Sequence, residues 1–327
     1  MTPVFVTGGS GLIGGALVTR LIRRGDDVVA LARSDAAAAK LQAAGARPVR
    51  GDVLDEASLV DGMRGCELVY HVAGINTFCP PDPAALFHVN VRGAELAVRA
   101  AHAAGARRVV LTSSSSSLGE ERGTVATEDS PHRGSYMSVY ERTKHEGELA
   151  AFAAAQRAGI ELVAVNPSSV QGPGRAGGTG RIMIAYLNGK LKVFVDTRIS
   201  LVDIDDAVEA HVLAAERGKP GARYLISGAT ITSQEALELV SRISGVRHEV
   251  RLLPAFVARA AGAGVELAFR ARGRKPPVCR EMINTMLHGH HYDGSRASAE
   301  LGLRYAPVED TFRRTIEWAR AEGLVRA

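Results

Sequence analysis

Cysteine is scarce. Only three occur in 327 residues, Cys66, Cys79 and Cys279, and they are scattered. Their separations fit neither a metal-ligand spacing nor a disulfide framework, which is the usage expected in a reducing cytoplasm. Aromatic residues make up 5% of the chain with a single Trp, and no aromatic RNA-binding motif occurs, so a base-stacking surface is excluded. Neither sign of charge dominates. The 40 Lys and Arg are interleaved with 35 Asp and Glu, leaving a net +5 and no polybasic arm for nucleic acid. No apolar run is long and charge-free enough to span a bilayer. The first strand starts within a few residues of Met1, leaving no room for a signal peptide. These absences lead to the expectation of a cytoplasmic globular protein whose partner is a small molecule.

The densest basic stretch, Arg270, Arg272, Arg274, Lys275 and Arg280, borders the apolar segment 252–269. It reads first as a solvated rim, with membrane-surface contact or an anionic ligand as the lesser alternatives. His288-Gly289-His290-His291 invites a metal reading, but only Asp293 lies near it in sequence, so the expectation is no metal.

What the chain does have is a 46% apolar content, enough for one large α/β unit or a nucleotide-binding domain with a smaller lobe. Short β-branched runs alternate with Ala-rich helical stretches, the pattern of a parallel sheet covered on both faces. Strands are expected at Val4–Val6, Val28–Leu31, Val49–Asp52, Glu67–Ala73, Arg108–Thr112 and Glu161–Val165, with helices at Val91–Ala104 and Val139–Arg157 among others. The fold class is therefore α/β, a Rossmann-type doubly wound parallel sheet with a smaller C-terminal α/β lobe. Residues 1–170 read as the nucleotide-binding domain and 171–327 as the substrate lobe. A segment of about 195–225, containing the strand Leu201–Ile204 and the helix Asp205–Glu216, is expected to return to the main sheet. The glycine-rich stretch 171–180 reads as a long loop of the kind that is usually functional.

Two motifs carry chemistry. The first is Thr7-Gly8-Gly9-Ser10-Gly11-Leu12-Ile13-Gly14, between a strand and a helix. Free backbone N–H groups and the positive end of a helix dipole meet there, which suits a pyrophosphate. Gly8 permits the tight turn, Gly11 lets backbone approach the phosphates, and Gly14 lets the helix pack closely. The second strand ends Leu31-Ala32-Arg33-Ser34, with a base where an acid would hold a ribose 2′-hydroxyl. Arg33, helped by Lys40, favours a 2′-phosphate, hence NADP(H) over NAD(H). Asp52 and Val53 follow the third strand toward the adenine edge.

The second motif is Tyr140-Glu141-Arg142-Thr143-Lys144. Four residues apart on a helix, Tyr140 and Lys144 share one face. A lysine one turn away would bring the phenol toward a working range for proton transfer. The fifth strand ends in Thr112 followed by Ser113-Ser114-Ser115-Ser116-Ser117, at the edge where open α/β sheets bind ligands. One of these hydroxyls could orient a substrate oxygen, and Asn90 could hold a water behind Lys144. His71 is expected near the adenosine rather than as a base. Phe78, Cys79 and Pro80 are expected to border the substrate pocket.

In this order the motifs resemble the extended short-chain dehydrogenase/reductases. The likeness adds His71-Val72-Ala73-Gly74, Asn90-Val91-x-Gly93, Asn166-Pro167-Ser168-Ser169-Val170 and the closing stretch Ser298–Ala319, and so covers essentially the whole chain. The resemblance implies Ser114 as the catalytic serine with Ser115 next in line, Tyr140 as acid/base, Lys144 as activator and Asn90 as their support. It implies cofactor contacts at Thr7, Leu12, Ile13, Ala73, Gly74, Thr112, Pro167, Ser169 and Val170, and a pocket including Phe78, Ser115, Met183 and Tyr186. Within the family the chain is similar to the dihydroflavonol-reductase-like and hopanoid-associated epimerase-like proteins, through Thr179–Lys190 and Val202-Asp203-Ile204-Asp205-Asp206. Two departures count against a nucleotide sugar. Ser115-Ser116 replace the Asp-Glu pair of sugar dehydratases, and Arg198 stands one residue too early for a phosphate-gripping arginine. The implied activity is carbonyl–alcohol interconversion on a small, apolar substrate, with a sugar epimerase holding NAD tightly as the rival. Pairing through the Val91 and Val139 helices would make a homodimer.

Overall fold

In the computed structural model, which describes residues 3–326, seven parallel strands form one sheet. Their alternation explains why the sequence shows β-branched runs rather than polar–apolar alternation. In β1 (Val4–Thr7), Val4 and Val6 enter the core on one face and Phe5 the core on the other. In β2 (Val28–Ala32), Val28, Ala30 and Ala32 face one side and Val29 and Leu31 the other. Strands buried on both faces must be apolar throughout.

Four more members are β3 (Arg47–Arg50), β4 (Leu68–His71), β5 (Arg108–Thr112) and β6 (Glu161–Pro167), and the seventh comes from later in the chain. After β6 the chain forms β7 (Ser169–Gln171), β8 (Val193–Val195), β9 (Arg198–Asp203), β10 (Arg223–Ile226), β11 (Ala229–Thr232) and β12 (Arg251–Leu253). The large sheet runs β10-β6-β5-β4-β1-β2-β3. Helices α1 (Leu12–Arg24) and α2 (Asp35–Ala43) contribute to the core on one face, and α3 (Glu56–Met63) to that on the other. The chain then enters α4 (Pro83–Phe87), a π-turn at His88–Arg92 and α5 (Gly93–Ala103). α5 and α6 (Val139–Ala158) join α3.

The second half contains α7 (Thr179–Leu187), α8 (Ile204–Arg217), α9 (Ser233–Ser244), α10 (Ala255–Arg270), α11 (Arg280–His288) and α12 (Val308–Ala321). Helix α8 and strand β10 return to the large sheet, α8 packing beside α1. Strand β9 does not. It pairs with β7 and β11 in a three-stranded sheet, because β10 takes the edge position beside β6. Helices α7, α9 and α12 close a separate apolar core around Tyr186, Leu239, Phe312 and Ile316. Among the described residues no helix is long and apolar enough to cross a membrane.

One expectation from the sequence is overturned here. Cys79 and Cys279, 200 residues apart, are joined in a disulfide, and only Cys66 is free. The bond ties the loop after β4 to the start of α11. The same hairpin of α10 and α11 reaches the main unit through Glu281, which accepts from the Val139 N–H at 3.3 Å, and Lys275, which donates to Thr77 Oγ1 at 3.2 Å. The basic stretch is thus partly paired: Arg270 and Arg280 both meet Glu266.

Candidate active site

The glycine turn is built as a tight cradle. A Cβ on Gly8, whose φ is +71°, would lie 2.6 Å from the Ala73 backbone nitrogen, and one on Gly14 would lie 2.2 Å from the Gly8 carbonyl oxygen. Only glycine permits both approaches. Gly11 is the N-cap of helix α1 and offers it no side-chain cap, and no acid stands in the first turn, so its N–H groups remain free for an anion. Thr7 Oγ1 accepts from the Ala73 N–H at 3.2 Å, locking the ends of β1 and β4 together.

Beside the turn, Lys40 donates to the Ser10 carbonyl at 2.8 Å, and Arg33 is exposed just past Ala32. Asp52 folds its carboxylate onto the Leu54 N–H, and Val53 packs near Gly93. A Cβ on Gly74 would lie 3.3 Å from the Asn90 side-chain oxygen and 3.9 Å from Lys144 Nζ. Leu12, Ile13 and Val170 belong to the adjoining apolar core. Pro167 ends β6, and the Ser169 hydroxyl turns to Thr179 and Gln171.

Ser138 caps α6 by accepting from the Glu141 N–H at 3.1 Å, which places Tyr140 in the first turn and Lys144 one turn on. The buried Arg133–Glu141 ion pair fixes the chain that leads in. Burial pushes the Tyr140 phenol up, while the Ser114 hydroxyl, the Arg175 guanidinium and the Ser116 hydroxyl pull it back. Ser114 and Ser116 share a 2.8 Å hydrogen bond. Ser115 lies in the short helical turn Ser115–Leu118 and faces Tyr292. Two of the five serines therefore meet Tyr140, and Ser115 is not one of them. Phe78 presents an edge contact to Tyr140, with ring centroids 6.0 Å apart.

Lys144 donates to the Thr112 carbonyl at 2.9 Å, and burial lowers its ammonium to about 8. The Arg175 guanidinium is a further positive charge that acts on Tyr140, and sequence reasoning missed it. Asn90, inside the π-turn, accepts from the Ile75 N–H and donates to the Ile75 carbonyl and to Thr143. A polar void of about 10 Å³ lies between Asn90, Lys144, His71 and Glu148. That is roughly room for one water.

His71 lines the same void as Lys144, and its ring bonds Thr7 Oγ1 at 3.0 Å. His211 was missed. Its Nδ1 faces the Ala207 carbonyl at 2.6 Å, and a carbonyl only accepts, so Nδ1 carries the proton and Nε2 accepts from the Thr112 hydroxyl at 2.7 Å. Burial lowers His211 to about 4 and His71 to about 3, from an ordinary 6.5. Both folded values lie below the unfolded one. The stability of these neutral rings is thus complete above pH 6.5 and drains as the pH falls toward 4 and then 3. A thermal-unfolding series is expected to show Tm falling below about pH 6.5 and a shallower fall for His211→Asn. An identical slope in the variant would remove His211 from this account.

Met183 and Tyr186 lie in the small lobe, where with Phe194, Leu201 and Phe312 they line a largely apolar cavity of about 70 Å³. Near His288–His291 the sequence shows only Asp293, and the fold brings a second carboxylate to it. Glu120, from the other half of the chain, meets His290 Nδ1 at 2.5 Å and His288 Nε2 at 3.4 Å. Against a burial penalty, the His290 hydrogen bond and the His288 ring close by hold this carboxyl well below its usual range. Donors sharing a tetrahedral zinc stand roughly 3.3 Å apart, so the 2.5 Å contact is a hydrogen bond. Only the fold could reveal this cluster, because 168 residues separate Glu120 from His288.

Comparisons with known proteins place this geometry. The NAD dependent epimerase/dehydratase family matches residues 4–227. A Synechocystis sp. protein with the provisional name dihydroflavonol 4-reductase is 30% identical, over 98% of this chain and 96% of its own. A Shewanella oneidensis 2-alkyl-3-oxoalkanoate reductase is 29% identical, over 91% of this chain and 81% of its own. The structure of MoeE5 in complex with UDP-glucose and NAD superposes with a TM-score of 0.77 at 25% identity, covering 98% of this chain and 99% of that one.

Proposed function

Because the chain belongs to the NAD dependent epimerase/dehydratase family, we propose that it is an NADP(H)-dependent oxidoreductase that interconverts a carbonyl and a secondary alcohol on a small, mainly apolar substrate. The observation that carries this reading is the meeting of Tyr140 with Ser114 at the carboxyl edge of the sheet, with Lys144 one turn along. The reductase activity named for the Shewanella oneidensis relative supports it.

Residues 1–170 would hold the cofactor and 171–327 would shape most of the substrate side. The cradle of Gly8, Gly11 and Gly14 fits a diphosphate, since side chains at Gly8 and Gly14 would fill the space their neighbours occupy. Arg33 and Lys40 would take a 2′-phosphate, Asp52 and Val53 the adenine side, and Thr7, Leu12, Ile13, Ala73, Gly74, Thr112, Pro167, Ser169 and Val170 the remainder. When bound, the nicotinamide supplies or accepts the hydride. Tyr140 gives its hydroxyl proton to the carbonyl oxygen during reduction and takes it back during oxidation. Ser114 donates to that oxygen and orients it, with Ser116 supporting Ser114 at 2.8 Å. Lys144 provides the charge that favours the phenolate, with Asn90 bordering the polar void behind it. Phe78 makes an edge contact with the tyrosine, and Met183 and Tyr186 offer apolar surface deeper in the lobe.

Likeness to a structure holding UDP-glucose and NAD favours the rival, an epimerase with permanently bound NAD. That rival requires purified protein to carry cofactor and to act without added nicotinamide. The reductase requires added NADPH and consumes it with ketones, seen as loss of its absorbance. Arg33→Ala is expected to raise the KM for NADPH about 10- to 100-fold and that for NADH by less than about twofold. An equal rise for both would overturn the NADP(H) assignment.

A further inference from the structure

The glycine-rich loop between β7 and α7 is folded around one cation. Gly172, Gly174 and Gly178 all have positive φ, at +138°, +87° and +57°. A Cβ on Gly178 would lie 2.7 Å from a terminal nitrogen of Arg175, and one on Gly180 would lie 1.9 Å from the Arg175 carbonyl oxygen. Side chains at these positions would displace the guanidinium or the backbone beneath it. At the other end, a Cβ on Gly174 would lie 3.1 Å from the side chain of Leu12, the first residue of α1. The loop thus leans on the mouth of the glycine turn, and its arginine lies within electrostatic reach of Tyr140.

Arg175 is largely withdrawn from water, yet among the described residues its side chain has neither a hydrogen bond nor an ion-pair partner. Its Nε is fully buried and unpaired. Burial lowers the guanidinium's affinity for its proton, and Tyr140 only partly offsets this. A buried, unpaired cation is costly, and a guanidinium offers five donors in a fork matched to carboxylate or phosphate. The other arginines near the site are satisfied: Arg133 pairs with Glu141, and Arg223 with Glu148.

We propose that Arg175 is the seat of an oxyanion, held between the glycine turn and Tyr140. Two sources offer that chemistry: the diphosphate of the cofactor, and an acidic group borne by the substrate a few bonds from its reacting carbonyl, as in a 3-oxo acid. The second source rests on the carbonyl–alcohol reading above; the first does not. In either case the loop's glycines preorganise the arginine, which keeps the ordering cost of binding low.

The test uses the full chain with Arg175→Ala and Arg175→Lys. Unchanged circular dichroism and Tm in both variants would establish that the loop alteration leaves the fold intact. In one arm, NADPH alone is titrated by fluorescence. In the other, a medium-chain 3-oxo acid and its methyl ester are titrated calorimetrically in the presence of NADP. Cofactor anchoring predicts NADPH affinity about 10- to 100-fold weaker in Arg175→Ala and partly restored in Arg175→Lys. Substrate anchoring predicts the same loss for the acid with the ester unaffected. Because both arms read binding, absence of turnover in the wild type would sink the reductase reading and leave this test standing. The oxyanion seat is overturned if Arg175→Ala binds NADPH as the wild type does and also fails to weaken the acid relative to its ester.

Discussion

Tyr140→Phe is expected to lower kcat by about 100- to 10,000-fold while leaving the Kd for NADPH within about twofold. The substitution removes one oxygen and keeps the ring, so the edge contact with Phe78 and the start of α6 are preserved. The loss falls on the group positioned to move a proton. Burial alone would leave the phenol a poor base, and the hydroxyls of Ser114 and Ser116, together with the charge of Arg175, act against that penalty. Removing them in turn separates their roles. Ser114→Ala should cost more in kcat than Ser116→Ala, because Ser116 also acts through Ser114 at 2.8 Å. Rapid-reaction kinetics would report the hydride step, and fluorescence titration the cofactor. Retained turnover in Tyr140→Phe would sink the mechanism. Loss of NADPH binding in parallel would show that the tyrosine is structural.

The strand, glycine turn and helix at the start of the chain were legible because their residue pattern is written within about ten consecutive residues. Val4, Phe5 and Val6 announce a strand buried on both faces, and Gly8 and Gly14 announce contacts that no larger residue permits. The Tyr140–Lys144 spacing was legible for the same reason. The register of the serines was not, since Ser113 to Ser117 are chemically identical and only the turn at Ser115–Leu118 decides which hydroxyls face Tyr140. Strand β9 has the apolar pattern of a large-sheet member, and what excludes it is competition with β10 for the one free edge beside β6. Arg175 sits in a loop without periodicity, where neither pattern nor propensity assigns a side chain its direction. Glu120 with His288 and His290 depends on contacts across more than half the chain. The length of the 171–180 loop was the one available signal for Arg175, and it pointed to the right segment without naming the residue.

The disulfide carries the second large effect. Cysteines 200 residues apart give no local signal of pairing, and scarcity of cysteine argued against it. Once Cys79 and Cys279 are joined, the chain-entropy relation assigns a closed loop of this size roughly 5 kcal/mol, and loss of native disulfides typically costs about 2–5 kcal/mol. For a chain of this length that is a fall in Tm of about 3–7 °C. Dithiothreitol is expected to lower the Tm of the wild type and to leave a Cys79→Ser/Cys279→Ser variant unmoved. Thiol titration of unreduced protein in denaturant should find one reactive cysteine per chain, Cys66, rising to three after reduction. The effect should extend to the site. Cys79 follows Phe78, whose ring rests against Tyr140, and the bond anchors that loop to the N-cap of α11. Releasing it frees Phe78 without touching Tyr140, Ser114 or Lys144, so KM for substrate should rise more than kcat falls. Three reactive thiols in unreduced protein would refute the bond itself. A bond present but without influence on KM would show that it staples the hairpin of α10 and α11 and does not shape the pocket.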